Sequence, residues 1–461
     1  MRSNDPPRLT RQVADLLKAP AGPPQDFVAN RASYPDIYAL AGGLTHALTA
    51  QDNSDQPVCL YTEDKALTAA AILAAAAKDT PSLLLPYALK SAVLEDVRQT
   101  TGAFRVITDR AQDLPSGMRA VDFTPAASMP PEFTAAALDK VMLRIFTGGS
   151  TGKPQVWPKT LRNLFGEAFF MAANFDFSSE DRVVITTVPF HIYGLLFGVL
   201  VPLVAGACVA AGTPTFPREI AEAIARHRAT VFAGVPSHYR VLREATLQSN
   251  HLRLAISSAG RLELADGAAF HRQTGLGVTE IYGSTETGGV ASRNRANDET
   301  ALTPLASVTV RIAGERLYVR SPYLSPNLAT DAEGYYQTGD RVRGDAEAGF
   351  VLMGRADGIV KVGGKRVDLE GVQTCLKRLP GVRDALVLAL PAERARENEI
   401  VAIVEGAVDT AAIRQALAAT VEAYALPRRI RAVDTMPISA AGKYDRQAAA
   451  DLFTRQPKAD L

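Results

Sequence analysis

Residues 145–154 read IFTGGSTGKP, and no other stretch limits the fold of this chain so strongly. An apolar lead-in of strand type (Val141, Leu143, Ile145, Phe146) runs straight into Thr147, Gly148, Gly149, Ser150, Thr151, Gly152 and Lys153. A strand that opens into small residues leaves backbone N–H groups free to converge on an anion. The glycines permit the positive φ values such a loop needs, the hydroxyls of Thr147, Ser150 and Thr151 add donors, and Lys153 supplies a point charge. Taken alone, the same residues also suit a Gly/Ser surface turn. A Walker A loop is excluded, because Pro154 stands where its Ser or Thr magnesium ligand belongs.

A chain of 461 residues is too long for one core and points to two to four domains or subdomains. Lys plus Arg (50) nearly balances Asp plus Glu (49), so no bulk attraction to nucleic acid or an anionic membrane is expected. Cys59, Cys208 and Cys375 lie far apart, form no metal-ligand spacing and suit a reducing cytoplasm, the expected location. The polar start MRSNDPPRLTRQ has no apolar core and is not read as a secretory signal. Residues 192–217 carry no charge, but Pro202, Pro214 and Pro217 interrupt them and no basic cluster flanks them closely. A buried helix followed by a buried strand fits better than a membrane span.

Up to about residue 140, helical stretches (37–48, 67–77) alternate with short apolar runs (58–61, 82–85), which is the rhythm of an α/β domain. Beyond the glycine-rich loop, Leu161, Leu164, Phe165, Ala168, Phe169, Ala172 and Phe175 recur at helical spacing and form a core face. A strand over 183–188 leads to Phe190, His191, Ile192, Tyr193 and Gly194, where the histidine either lines a pocket or packs with its nitrogens satisfied. Strands over 230–236, 252–258 and 277–282 follow, after a helix at 218–228. They end in small or polar residues, among them Ser257, Ser258, Ala259, Gly260 and Arg261, and then Gly283, Ser284, Thr285 and Glu286. In open α/β sheets that edge is where ligands bind. There Tyr282 offers a flat face for a base, Thr285 a hydroxyl for a phosphate, and Glu286 a hard oxygen for magnesium; as isolated residues they would also make an ordinary turn.

From 308 to 321 the pattern turns to alternating β (VTVRI, RLYVRS), which suggests a small barrel-like subdomain closing at Tyr336-Gln337-Thr338-Gly339-Asp340, with the aspartate in a turn. Residues 354–367 (GRADGIVKVGGKRV) read as a strand pair. The last hundred or so residues read as a compact α+β module, with helices at 369–379 and 410–423 and strands at 385–390 and 399–404.

These motifs, in this order, resemble the adenylate-forming superfamily of acyl-CoA synthetases, luciferases and nonribosomal-peptide adenylation domains, and the match runs from Thr147 to Arg446. The phosphate loop, the YGSTE match to the family pattern YGxTE, the TGD at Asp340, the GRADG stretch and the terminal P-x-x-x-x-G-K-x-x-R at 437–446 all carry it. The HIYGLLFGVLVPL context and the short N-terminal region further resemble the compact ligases of aryl-polyene and related pigment clusters. The resemblance implies a large N-terminal domain (1–354) of two doubly wound α/β subdomains plus the small β subdomain, and a small mobile α+β lid domain (355–461).

The resemblance also implies roles. Thr147 to Lys153 would hold the β and γ phosphates of ATP, Thr285 the α-phosphate, and Glu286 Mg2+. Ala259, Gly260, Arg261, Tyr282, Gly283 and Ser284 complete the nucleotide site. Asp340 would accept both ribose hydroxyls, with Arg355 a second ribose contact. His191, Tyr193, Ser257 and Ser258 would border the acid pocket. Asp357 would be the hinge, the Gly363-Gly364 turn would face the thiol acceptor, and Lys443 would be the adenylation lysine. The His191/Tyr193 pair, the Ser257-Ser258-Ala259 strand end and the compact N-terminal region favour a small, aromatic carboxylic acid as substrate. The resemblance implies either CoA or an acyl carrier protein's phosphopantetheine as acceptor, with no nucleic acid and no membrane span expected. Gln155 and Gly371 replace a family lysine and glutamate, so the loop's cation would come from Lys153 or Lys159. A medium-chain fatty acyl ligase of the same fold, a luciferase-type oxygenase and a non-catalytic nucleotide-binding regulator stay open as alternatives; Lys443 and Glu286, both present, argue against the regulator.

Overall fold

The computed structural model describes residues 6–21, 25–49, 56–77, 80–126, 133, 135–147, 155–247, 251–362, 365–391, 398–418, 420–439 and 442–454. The chain divides into two compact units: Met1–Arg311 with Val319–Tyr336 and Ala346–Gly349, and Ile312–Tyr318 with Gln337–Asp345 and Phe350–Leu461.

The first unit contains two sheets. One has six strands in the order Arg119–Ala120, Arg105–Ile107, Val58–Leu60, Leu83–Leu85, Val141–Thr147, Gln155–Thr160. All its pairs are parallel except the last, an antiparallel hairpin in which Thr147 stands opposite Gln155. The interior strands are continuous apolar runs because both faces of a parallel sheet are covered. The strand Gln155–Thr160 is not evident from the sequence, since Trp157-Pro158 reads as a break; as an edge strand it tolerates proline.

The second sheet has nine strands, and its parallel centre runs Val278–Ser284, Leu254–Ser257, Val231–Gly234, Arg182–Ile185, Cys208–Val209, Asp26–Val28. The antiparallel strand Gly288–Asn294 folds back on Val278–Ser284. Val184, Phe232 and Ala255 lie in register and pack with Ile220, Tyr239 and Phe270 into one core.

The uncharged stretch after His191 is helical and buried, as its composition suggests. Helix Ile192–Leu195, a π-helical turn over Leu196–Leu200 and helix Val201–Ala205 follow one another. Pro202 has no N–H to give, and the N–H of Val201 reaches the carbonyl of Leu196 five residues back. Among the described residues no helix is long and apolar enough to cross a membrane.

Thr309–Ala313, Arg316–Arg320, Tyr336–Asp345 and Gly349–Arg355 form a four-stranded sheet. Asp340 lies within a strand rather than in the expected turn. Thr338 and Val342 are buried on the same face of this strand, and that packing outweighs the turn-forming composition of Thr-Gly-Asp. Next comes an antiparallel hairpin, Ile359–Val362 with Lys365–Asp368. The three-stranded sheet Asp384–Pro391, Asn398–Glu405, Arg429–Val433 completes the second unit. Ala385 and Val387 face helices Leu369–Lys377 and Thr410–Ala418, while Leu386 and Leu388 face helix Arg446–Thr454, the two-residue alternation of a sheet covered on both sides.

Candidate active site

The C-terminal ends of the parallel strands in the nine-stranded sheet assemble the candidate residues of the first unit. Val278–Ser284 ends in the turn Thr285-Glu286-Thr287 before Gly288–Asn294 returns. Side chains at both ends lock that turn. The Ser284 N–H donates to Thr287 Oγ1 at 3.1 Å, the Thr287 N–H to Ser284 Oγ at 3.2 Å, and the two hydroxyls lie 2.9 Å apart. Thr287 is buried, whereas Tyr282, Gly283, Ser284, Thr285 and Glu286 are all partly exposed along the edge. Gly288 has φ +69°, and a Cβ there would come within 2.7 Å of Tyr323 and 2.9 Å of Glu167 Oε2, so only glycine lets the chain turn back so close.

Two buried charges support the turn from below. The Lys159 ammonium donates to the carbonyl of Tyr323 at 3.0 Å and to that of Glu286 at 3.4 Å, and the Ser325 N–H donates to the same Glu286 carbonyl at 2.8 Å. Burial pulls the Lys159 pKa down to about 8, against the attraction of Glu167 and Glu286. Glu167, on helix Leu161–Asn174, accepts the Gly289 N–H at 2.7 Å; burial raises its pKa, against that bond and Lys159. From the sequence alone Lys159 is legible only as a spare cation for the phosphate loop, and the role of Glu167 is not legible. The available signal was a glutamate embedded in the apolar face of its helix.

The adjacent strand Leu254–Ser257 ends at Ser258-Ala259-Gly260-Arg261. Ala259 holds φ +69°, a left-handed conformation that costs a non-glycine residue about 1–2 kcal/mol and is found mostly where a site demands it. Ser257 is buried and Ser258 Oγ donates to the carbonyl of Ile281 at 2.8 Å, tying this end to the neighbouring strand; Arg261 is exposed.

Of the aromatic pair beyond Arg182–Ile185, Tyr193 is buried. Its hydroxyl lies 3.2 Å from the carbonyls of Gly234 and of Ile256, and its ring meets Phe197 edge-on at 5.5 Å. Tyr193 thus spans two strand ends. His191 is partly exposed and packs on Phe190, with ring centroids 4.8 Å apart. Gly194 permits this arrangement, since a Cβ there would meet the Val188 carbonyl at 2.0 Å. His238, unmarked by the sequence reading, lies alongside: its Nδ1 is 2.7 Å from Thr186 Oγ1, and burial lowers its pKa to about 4.

In the second unit Asp340 is close to Arg355. A Cβ on Gly339 would fall 2.5 Å from Arg355 Nη2, which locates the guanidinium over the residue before Asp340. The backbone of Arg355 is hydrogen-bonded to Glu370, whose carboxyl burial raises in pKa. Lys443 is exposed, within a narrow turn. Gly148 to Lys153, the Gly363-Gly364 turn and the side chain of Asp357 lie outside the described residues.

A family model described as AMP-binding enzyme matches residues 27–334, more than half of the chain, and one described as AMP-binding enzyme C-terminal domain matches residues 372–443. The chain belongs to the AMP-binding enzyme family. It is an AMP-forming acid–thiol ligase. Over 354 residues it is 28% identical to the 3-[(3aS,4S,7aS)-7a-methyl-1,5-dioxo-octahydro-1H-inden-4-yl]propanoyl:CoA ligase of Mycobacterium tuberculosis, covering 69% of this chain and 70% of that one. Over 361 residues it is 26% identical to the 3-hydroxybenzoate–CoA/4-hydroxybenzoate–CoA ligase of Thauera aromatica, covering 70% and 68%. The crystal structure of ATP-bound MatB from Rhodopseudomonas palustris has the same fold, with a TM-score of 0.81, 21% identity and coverage of 98% and 99%.

Proposed function

We propose that this ligase activates a small aromatic carboxylic acid and passes the acyl group to the thiol of CoA or of a carrier protein's phosphopantetheine. The observation that supports an aromatic acid is the partly exposed His191 ring at the ligand edge of the sheet, backed by buried Phe190 with ring centroids 4.8 Å apart; Tyr193 and Phe197 are buried and contribute packing only. Flat rings favour stacked or edge-on contact with another ring over the packing an alkyl chain needs. The relative from Thauera aromatica is a hydroxybenzoate–CoA ligase, which agrees with this reading.

In the first half-reaction a carboxylate oxygen attacks the α-phosphorus of ATP, the bond to the β-phosphate oxygen breaks, and pyrophosphate leaves. Catalysis here is mostly positioning and charge neutralisation. Thr147 with Gly148 to Lys153 would hold the β and γ phosphates, Thr285 the α-phosphate, Tyr282 the base, and Asp340 with Arg355 the ribose. Mg2+ in such sites needs only one or two carboxylates beside phosphates and water. Glu286 fits that need: its backbone carbonyl is fixed by Lys159 and Ser325, and it stands partly exposed on the turn beside Thr285. Among the described residues no cluster of three or more His, Cys, Asp or Glu would hold an ion independently of substrate. When bound, the ion offsets the charge of the phosphates.

Lys443 would stabilise charge developing between carboxylate and α-phosphate. In the second half-reaction the thiol sulfur attacks the acyl carbon, the carbonyl carbon's bond to the phosphate oxygen breaks, and AMP leaves. Rotation of the C-terminal domain about Asp357 would exchange Lys443 for the Gly363-Gly364 turn between the two steps. The test is pyrophosphate release from ATP over a panel of substituted benzoates and C6–C12 fatty acids, with CoA and a holo carrier protein as acceptors. Benzoates are expected to lead; a fatty acid as the best substrate would replace this reading with a medium-chain ligase.

A further inference from the structure

The residue next to Lys443 is held more firmly than a surface turn requires. Lys443 lies in a narrow turn whose legs meet at an antiparallel bridge between Ile438 and Tyr444. The Ser439 N–H donates to the Lys443 carbonyl at 2.7 Å, the Gly442 N–H to the Ser439 carbonyl at 2.9 Å, and the Asp445 N–H to the Pro437 carbonyl at 2.8 Å. Backbone bonds of this kind define a turn but leave it hinged as a whole on whatever fixes its base. One leg has such an anchor, because the Tyr444 side chain runs inward. Its hydroxyl lies 2.7 and 2.9 Å from the two carboxylate oxygens of Asp384 and 2.9 Å from Lys377 Nζ.

Asp384 and Lys377 are themselves an ion pair at 2.9 Å, with Asp384 almost wholly enclosed. They come from two rigid elements: Asp384 opens the strand Asp384–Pro391, and Lys377 ends the helix Leu369–Lys377. Asp384 Oδ1 also accepts the N–H of Ala385 at 2.8 Å, and the Lys377 ammonium rides 5.5 Å from the centre of the Tyr444 ring. Immediately after Tyr444, Asp445 caps helix Arg446–Thr454 through the Ala448 N–H at 2.9 Å. Each of these contacts lies within the second unit. A buried ion pair alone is weak support for a fold, since apolar residues of the same volume do as well or better. Its third partner is the chain neighbour of Lys443, a compact charge on a long stem whose reach is set by the backbone that carries it.

We propose that Tyr444 is a positioning residue for adenylation, anchored by Asp384 and Lys377 so that the backbone presenting Lys443 is fixed. This rests on Lys443 being the adenylation lysine. Its ammonium must meet charge that develops only in the transition state, and an error of about 1 Å in such a placement costs about a hundredfold in rate. Thioester formation from a finished adenylate, which does not call on Lys443, would be indifferent to the anchor.

The experiment uses the full chain, the benzoate it turns over fastest, and the synthetic adenylate of that acid with CoA. Tyr444→Phe keeps the ring and deletes only the hydroxyl. Acid-dependent pyrophosphate exchange should fall about 10- to 100-fold in kcat, the KM for ATP should stay within about twofold because the nucleotide contacts lie elsewhere, and thioester formation should be unchanged. Asp384→Asn, which still accepts from the hydroxyl but loses the charge, should fall between the two. An unchanged exchange rate in Tyr444→Phe, with Lys443→Ala inactive in exchange, overturns the anchoring role and leaves the lysine's role standing. Equal losses in both half-reactions reduce Tyr444 to a packing residue and overturn the proposal as well. Full exchange activity in Lys443→Ala removes the reading on which it rests.

Discussion

Glu167→Gln tests the buried charges beneath the Thr285-Glu286 turn with the smallest available change. The amide oxygen can still accept the Gly289 N–H, so the carboxylate's charge is what disappears. Lys159 then loses the partner that contributes most to keeping it protonated. The cost is capped, because a buried lysine discharges rather than stand uncompensated. With the Lys159 pKa at about 8, removing its proton at pH 7 costs about 1.4 kcal/mol, one pH unit at 1.36 kcal/mol. Lys159 has a folded pKa below its unfolded 10.5, so its contribution is fully present above that value and is lost as pH falls through about 8. In the variant the folded pKa drops further, extending the loss to lower pH. Destabilisation relative to the unmodified chain should therefore be about 1 kcal/mol at pH 7 and fade to nothing by pH 9. The chain's single tryptophan, Trp157, lies on the strand Gln155–Thr160 that also carries Lys159, so its fluorescence during urea unfolding reports on the first unit. A loss equal at pH 7 and pH 9, or none at either, refutes the argument.

Burial holds the His238 pKa at about 4 instead of 6.5, so its contribution is present above pH 6.5 and lost as pH falls through 4. Trp157-detected stability of the first unit should drop by about 3 kcal/mol on this account across that window, and His238→Gln should remove that part of the slope. Asp340→Ala deletes an acceptor for the ribose and should weaken ATP binding by about 1.5–3 kcal/mol. Calorimetric titration of ATP checks it, and unaltered affinity removes Asp340 from the nucleotide site.

The α/β rhythm and the strand-end placement of Ser257, Ser258, Tyr282, Thr285 and Glu286 were legible because a parallel sheet writes itself as apolar runs ending in small residues. The edge strand Gln155–Thr160 was not, since an edge needs no apolar alternation and tolerates Pro158. Asp340 was misassigned to a turn because local composition carries no record of the partner strand that overrides it. The pairing of Lys159 and Glu167 with the turn, and of Tyr444 with Asp384, joins residues far apart in the chain. A charged residue inside an apolar helix face is the trace such contacts leave, and it names one partner but not the other.

On the proposed mechanism Lys443 serves formation of the adenylate and not its consumption, and two half-reactions measured on one variant separate these roles. Lys443→Ala should lose acid-dependent pyrophosphate exchange by several orders of magnitude, because its charge is used mainly in the transition state. Given synthetic acyl adenylate and CoA, the same folded variant should form thioester at close to the unmodified rate. Retention of exchange, or loss of both half-reactions to the same degree, would contradict it.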